Sequence, residues 1–183
     1  MEINLGKIVL RPWTDGDAVQ LADIANSKEV YDNLRDAFPH PYSLKDAKEW
    51  ISFIKRNNYP PRFFAIEYES WLAGSIGITL KEDIYRRNAE IGYFIGEQFK
   101  GKGIASDAVK AAVRYAFETF DIVRIYAEPL AENLASRRVL EKAGLKCEAT
   151  LKDYVEKNGR IQDSCVYSIL LKDLDVYPGK KNI

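Results

Sequence analysis

The apolar positions of this chain change period several times, and the changes mark its elements. Alternating or continuous runs rich in β-branched and aromatic residues predict strands at Lys7 to Pro12, Phe63 to Tyr68, Leu72 to Leu80 and Ala89 to Ile95. Three more are predicted at Val123 to Glu128, Leu145 to Val155 and Arg160 to Leu171. Helical spacing appears at Ala18, Leu21, Ala22 and Ala25, at Ala47, Trp50, Ile51 and Ile54, and at Ala108, Val109, Ala112, Val113, Ala116 and Phe117. The last group predicts a helix over Ser106 to Phe120. A short helix is expected at Val30 to Leu34, and another over Asn133 to Ala143, stopped by Gly144 as a left-handed cap. Thr14 with Asp17, and Ser43 with Asp46, have the spacing of capping pairs.

Between these elements lie recognisable breaks. Arg35 to Tyr42 is a loop stiffened by Pro39 and Pro41, Asn57 to Pro61 interrupts the pattern, and Glu82 to Asn88 is a charged connection. Asn158-Gly159 is a two-residue turn joining the last two strands into a hairpin. The order is strand, helices, three strands, helix, strand, helix, two strands. It predicts an α/β (α+β) domain built on a mixed, mostly antiparallel seven-stranded sheet with helices on both faces. The expected domain runs from residue 7 to 172, and the tail over 173–183, with Pro178-Gly179-Lys180-Lys181, is expected to be loose.

Composition narrows the class. The chain has 183 residues, 46% of them hydrophobic and 30% charged, the profile of one globular domain with a substantial core. Lys plus Arg and Asp plus Glu both number 27, which argues against a nucleic-acid partner. No apolar run is long enough to span a bilayer, and Met1 to Lys7 lacks the regions of a signal peptide, so the expected compartment is the cytoplasm, with no membrane partner. The single histidine, His40, excludes a multi-histidine metal site, and no metal is expected. Cys147 and Cys165 fall on the two arms of the predicted hairpin. A two-residue turn would set Cys165 opposite Lys152, so no bridge is expected. Trp13, Trp50 and Trp71 read as packing residues.

The stretch with chemistry in it is Lys100-Gly101-Lys102-Gly103-Ile104-Ala105-Ser106, which joins a predicted strand to a predicted helix. Gly101 and Gly103 let successive backbone N–H groups turn toward one point, and the helix N-terminus adds unpaired N–H groups and partial positive charge. Lys100 and Lys102 add charge at the rim, and Ser106 adds a hydroxyl. Such a loop is an anion cradle suited to a pyrophosphate, or equally an ordinary strand-to-helix turn on a basic surface. It is not a Walker loop, and it lacks the third glycine of the dinucleotide fingerprint.

The loop resembles the acyl-coenzyme A signature of the GNAT superfamily of N-acetyltransferases, Gln/Arg-x-x-Gly-x-Gly/Ala, with Lys100 in the first position. A second stretch, Asn133 to Leu145, is similar to the family's Asn-x-x-Ala-x-x-x-Tyr-Glu-Lys-x-Gly-Phe, with Ser136 in place of alanine and Leu140 in place of tyrosine. Asn133-x-x-Ser136-Arg137, the opening Val9-Leu10-Arg11-Pro12-Trp13 and the run Ala89-Glu90-Ile91-Gly92-Tyr93 resemble the RimJ/RimL type that modifies ribosomal proteins. The resemblance extends from Ile8 to Leu171.

It implies direct transfer of an acetyl group from acetyl-CoA to an amine, with no cysteine intermediate. The acceptor is either a protein N-terminus or a small amine, and the chain a monomer or homodimer. By resemblance, the main chain of Phe94 and Ile95 pairs with pantetheine, residues Lys100 to Ser106 cradle the pyrophosphate, and Asn133 and Ser136 belong to the same site. Glu90 is the candidate general base, or else a strand-end carboxylate paired with a cation such as Arg86 or Arg87. Ser136 is the candidate proton donor to the thiolate, or else a small packing residue behind an Asn133 cap. Arg35, Asp36, His40, Tyr42, Tyr93 and Tyr154 are candidate acceptor-site residues. Asp32, Asp36 and Glu90 would make an acidic pocket if the acceptor were a polyamine or a cationic antibiotic. The substituted positions Lys100 and Leu140 leave room for a third reading, a coenzyme A-binding module without turnover.

Overall fold

The computed structural model describes residues 1–176; the expected tail features from Pro178 to Lys181 lie outside the described residues. Eight strands form one sheet: β1 (Ile3–Asn4), β2 (Ile8–Arg11), β3 (Phe63–Tyr68), β4 (Trp71–Leu80), β5 (Asn88–Ile95), β6 (Arg124–Ala127), β7 (Lys146–Lys157) and β8 (Arg160–Leu170). Their spatial order is β1-β2-β3-β4-β5-β6-β8-β7. The strand beyond the expected seven is β1, two residues paired to Leu10 and Val9, too short to carry a period of its own. All neighbours are antiparallel except β5 and β6, the pair joined by the helical crossover.

Five α-helices flank the sheet: α1 (Ala18–Ala25), α2 (Lys28–Asp32), α3 (Leu44–Asn57), α4 (Ile104–Thr119) and α5 (Leu134–Lys142). The capping pairs hold. Thr14 and Asp17 bond reciprocally at the turn that opens α1, and Ser43 and Asp46 do the same at α3. On one face, α4 and α5 bury Ile104, Val109, Val113 and Leu140 against Phe64, Ile76, Ile91 and Ile125 of the sheet. On the other, α1 and α3 bury Leu21, Ile24, Ile51 and Ile54 with Trp13 and Tyr42. Trp13 is buried as expected and Trp50 is half-buried, but Trp71, at the start of β4, is 62% exposed and packs little. Leu171–Val176 forms a turn of 3-10 helix, and Leu174 packs on the core.

The closing hairpin differs from its expected register. Asn158 and Gly159 both take positive φ, as a tight hairpin turn demands, and Lys157 faces Arg160. Between Leu151 and Val155 the register shifts, with Asp153 in a left-handed conformation, so Cys165 faces Thr150 rather than Lys152. Both cysteines are free, Cys147 exposed and Cys165 buried.

What positions the site is the parting of β5 and β6. They pair at only three positions, Asn88 with Arg124, Ala89 with Ile125 and Glu90 with Tyr126. Beyond Glu90, β5 runs on to Ile95 against β4 alone, while β6 ends at Ala127. The edge of β5 from Ile91 to Ile95 therefore faces a gap instead of a ladder.

Candidate active site

Two clefts meet at this gap. The first, of about 370 Å³, runs from the end of β5 across the turn into α4 and along α5. Tyr93, Phe94 and Ile95 line it from β5, Lys100, Gly101 and Gly103 to Ser106 from the turn, and Asn133, Ser136, Arg138 and Lys142 from α5. Gly101 and Gly103 sit at φ +76° and +80°, where a side chain is strained, and a Cβ at either would point into open space. The helix starts at Ile104, two residues earlier than expected, with Gly103 as its N-cap. Its first helical bond runs from the Asp107 N–H to the Gly103 carbonyl, so the N–H groups of Ile104, Ala105 and Ser106 have no partner in the helix. The free donors at the turn that follows the two glycines are thus main-chain groups.

Lys100 lines the cleft and pairs with Glu29 of α2 at 2.6 Å. Lys102 does not join it: its ammonium lies over the rings of Tyr68 and Phe99. Asn133 caps α5, its Oδ1 accepting the Ser136 N–H at 3.0 Å. Arg138 and Lys142, with Ala135 and Val139, were not anticipated. They lie three and four residues apart along α5, a helical stripe beginning beside Asn133 that the sequence does contain.

The second cleft is larger, about 720 Å³, and opens on the α1/α3 side of the sheet. Its floor carries Ser75, Gly77 and Thr79 of β4 beside Glu90, Gly92 and Phe94 of β5. Its walls are largely aromatic, from Phe38, Tyr42, Trp50, Phe53 and Phe63. Tyr93, Phe94, Pro129 and Ser136 line both clefts, which places the junction at the gap between β5 and β6.

At that junction the Tyr93 hydroxyl lies 2.9 Å from the Ser136 hydroxyl and also donates to the Ser136 carbonyl at 3.2 Å. Burial pushes the Tyr93 phenol up to about 12, against the pull of its bond to Ser136. Tyr93, expected on the acceptor wall, therefore lies where the two clefts meet. Leu140, where the family motif carries tyrosine, is fully buried in the core. Glu90 is 14% exposed and holds two cations, Arg35 on one carboxylate oxygen and Lys81 on the other. Its partners are not Arg86 or Arg87; Arg87 pairs with Asp121.

Of the acceptor-site candidates, Arg35, Tyr42 and Tyr93 line the second cleft, and Asp36, His40 and Tyr154 do not. Asp36 turns to the hairpin tip and pairs with Lys157 at 2.7 Å. His40 stacks on Tyr31, and Tyr154, on the irregular part of β7, is 56% exposed. Nor do Asp32 and Asp36 form an acidic pocket with Glu90, because Asp32 is taken by Lys28 and Asn158. The acids that do line the cleft beside Glu90 are Asp46, Glu49 and Glu128. Asp46 is engaged in the α3 cap. Glu128 makes no hydrogen bond or ion pair among the described residues. No helix of the described residues is long and apolar enough to cross a membrane, and no cluster of three or more metal-ligating side chains occurs among them.

A parted pair of strands, a main-chain anion cradle at the following helix and a second cleft meeting the first at the strand gap define an acyl-CoA-dependent N-acetyltransferase. The family model of the acetyltransferase (GNAT) domain matches residues 7–146, and the chain belongs to that family. Among curated proteins it is 38% identical to the N-acetyltransferase YoaA of Bacillus subtilis (strain 168), over 92% of this chain and 96% of that one. It is 34% identical to the [ribosomal protein uS5]-alanine N-acetyltransferase of Escherichia coli (strain K12) over 83 residues, 45% of this chain and 43% of that one. Among solved structures it is similar to Mycobacterium smegmatis RimJ in complex with CoA-disulfide, with a TM-score of 0.80 and 25% identity, covering 91% of this chain and 83% of that one.

Proposed function

We propose that the protein transfers the acetyl group of acetyl-CoA directly to the α-amine of a polypeptide N-terminus, in a complex that holds donor and acceptor together. The observation that carries this reading is the meeting of two separate clefts at Tyr93 and Ser136. The first cleft suits the donor. The N–H groups of Ile104, Ala105 and Ser106 face its pyrophosphate, and Arg138 and Lys142 add positive charge along α5. The open edge of β5 at Phe94 and Ile95 offers main-chain groups to pantetheine. The second cleft brings the amine to the same gap. The relatives that act on a ribosomal protein favour a protein acceptor over a small one.

In this reading the amine nitrogen forms a bond to the thioester carbonyl carbon as the carbon–sulfur bond breaks. A backbone N–H of β5 polarises the carbonyl oxygen. The proton lost by the amine leaves toward Glu90, directly or through water, once Arg35 yields its place on the carboxylate. Arg35 is 72% exposed, so water can replace it there. The thiolate is protonated through the Ser136 hydroxyl, which Tyr93 orients by its hydrogen bond; the proton that Glu90 passes to solvent is matched by one that solvent returns to Ser136, so the cycle closes. An α-amine, with a pKa near 8, asks less of such a base than a lysine near 10.4.

The test is a thiol-release assay with acetyl-CoA against N-terminally free peptides, the same peptides blocked but carrying lysine, and polyamines. Turnover on the free N-termini alone upholds the proposal. Turnover on polyamines alone supports a small-amine enzyme. Calorimetric binding of acetyl-CoA with no turnover on any amine indicates a binding module.

A further inference from the structure

The second cleft has a feature that amine transfer by itself does not require. Gly77 and Gly92 stand directly opposite each other on β4 and β5, in the middle of its floor. The Phe63 ring lies over Gly77 so closely that a Cβ there would fall 2.5 Å from it. Over Gly92 nothing lies within 4 Å of where a Cβ would be. The floor therefore has a bare patch beside a ring, two residues along β5 from Glu90. Around it stand two aromatic groups. Trp50 meets Phe63 edge-on at 5.6 Å and stacks on Phe53 at 6.1 Å, and Phe38 stacks on Tyr42 at 4.8 Å and meets Phe94 edge-on at 5.7 Å. Neither group closes over the patch.

From this geometry we infer that the acceptor cleft selects amines carrying a large apolar group, an aromatic ring above all, beside the reacting nitrogen. The inference rests on the amine-transfer reading above and adds the class of acceptor: an N-terminal residue with a bulky apolar side chain, in contrast to the alanine that the relative acting on uS5 modifies. A ring seated on Gly92 lies next to the Phe63 ring, in the offset or edge-on arrangements that aromatic pairs favour. The adjoining amine is then near Glu90, and Glu128, without an ionic partner among the described residues, supplies negative charge for its ammonium form. A small first residue would leave the Gly92 patch uncovered and forgo that burial.

The experiment compares kcat/KM of the full chain, with acetyl-CoA, on peptides identical except for an N-terminal Phe, Leu, Ala or Ser, and on phenethylamine and ethylamine. Burying the larger side chain predicts that Phe and Leu exceed Ala and Ser by about tenfold or more. Gly92→Val, a residue suited to a strand, fills the patch and should reduce the Phe-to-Ala ratio by about tenfold. Calorimetry of acetyl-CoA and a thermal melt check that the variant is folded, and if it is not, the wild-type ratios decide. Equal or reversed ratios in the wild type, or an unchanged ratio in folded Gly92→Val, overturn the inference while leaving N-terminal acetylation standing. Turnover of phenethylamine but of neither ethylamine nor any peptide upholds the apolar cleft and overturns the polypeptide acceptor. Inertness of every amine overturns both.

Discussion

Tyr93 of β5 and Ser136 of α5 join their hydroxyls at 2.9 Å across the gap where β5 leaves β6. The bond links the open edge of β5 to the helix that the family signature marks. Burial holds the phenol near 12, so in the proposed mechanism Tyr93 stays protonated and serves as a hydrogen-bond donor, not a base. Tyr93→Phe and Ser136→Ala should each lower kcat by about 10²-fold, the lower range for general-acid catalysis, with the Kd of acetyl-CoA changed by no more than a few-fold. The double variant should lose little beyond the worse single one, since the pair works in series. Full turnover in Tyr93→Phe would remove it from the proton path.

Glu90 has both carboxylate oxygens occupied by cations, one largely exposed and one mostly covered. Glu90→Gln should lower kcat by at least about tenfold while acetyl-CoA binds as before. It should also cost about 1–3 kcal/mol of stability, because Lys81 loses its carboxylate. Full turnover in the folded variant would show that water alone accepts the proton.

Gly103 takes a left-handed conformation at the mouth of the cradle, with open space where a Cβ would project. Gly103→Ala should cost about 1–2 kcal/mol through backbone strain, with no clash to relieve. The methyl would stand where the donor's phosphates are expected, so the Kd of acetyl-CoA should rise by more than the melt alone explains. Calorimetry of the folded variant with unchanged affinity would place the pyrophosphate elsewhere.

Lys157, at the tip of the β7–β8 hairpin, is 5% exposed, 2.7 Å from Asp36 and 3.6 Å from the centre of the Tyr31 ring. It ties the hairpin to α2 and to the loop that carries Arg35. Lys157→Met keeps most of the volume but removes the ion pair and the cation–π contact, worth about 1–2 kcal/mol together. Acceptor KM should rise more than donor KM, since the loop forms the acceptor wall. Equal changes in both would mean that the contact serves stability alone.

Asp17 shows how acid should unfold the protein. Burial pushes its carboxyl up, but the Arg11 guanidinium and the Thr14 N–H and hydroxyl outweigh this and hold it below the usual carboxylate range. A depressed folded pKa gives stability that is fully present above the unfolded value, about 3.9, and is lost as pH falls through the folded one. Asp17→Asn should therefore be less stable than wild type at pH 7 by about 1–3 kcal/mol, with the gap narrowing below pH 4 in urea melts. A gap independent of pH would assign the loss to packing.

Much of the fold is legible in the sequence because local rules fix it. The α3 and α4 faces follow from apolar spacing, the α1 and α3 starts from Thr14/Asp17 and Ser43/Asp46, and the hairpin turn from Asn158-Gly159. What failed needed partners distant in sequence. Nothing near Asp36 marks Lys157, 121 residues away, as its partner, and nothing near Glu90 marks Arg35, 55 residues earlier. The hairpin register failed for another reason: only Asp153 marks the irregularity between Leu151 and Val155, a single aspartate inside a strand-like run with no glycine or proline beside it.

The sequence by itself determined the turn into α4 and the start of α5. Gly101, Gly103 and Asn133 act through backbone conformation and capping, which neighbouring residues dictate, so a linear pattern can hold both. Only the tertiary structure decided the second cleft. There the Gly77–Gly92 floor, the aromatic walls and the Tyr93–Ser136 bond arise from six segments, the loop before α3, α3, β3, β4, β5 and α5, brought together by the sheet and by the parting of β5 from β6. Cleft shape and charge pairing depend on distances through space, and a sequence records only distances along the chain.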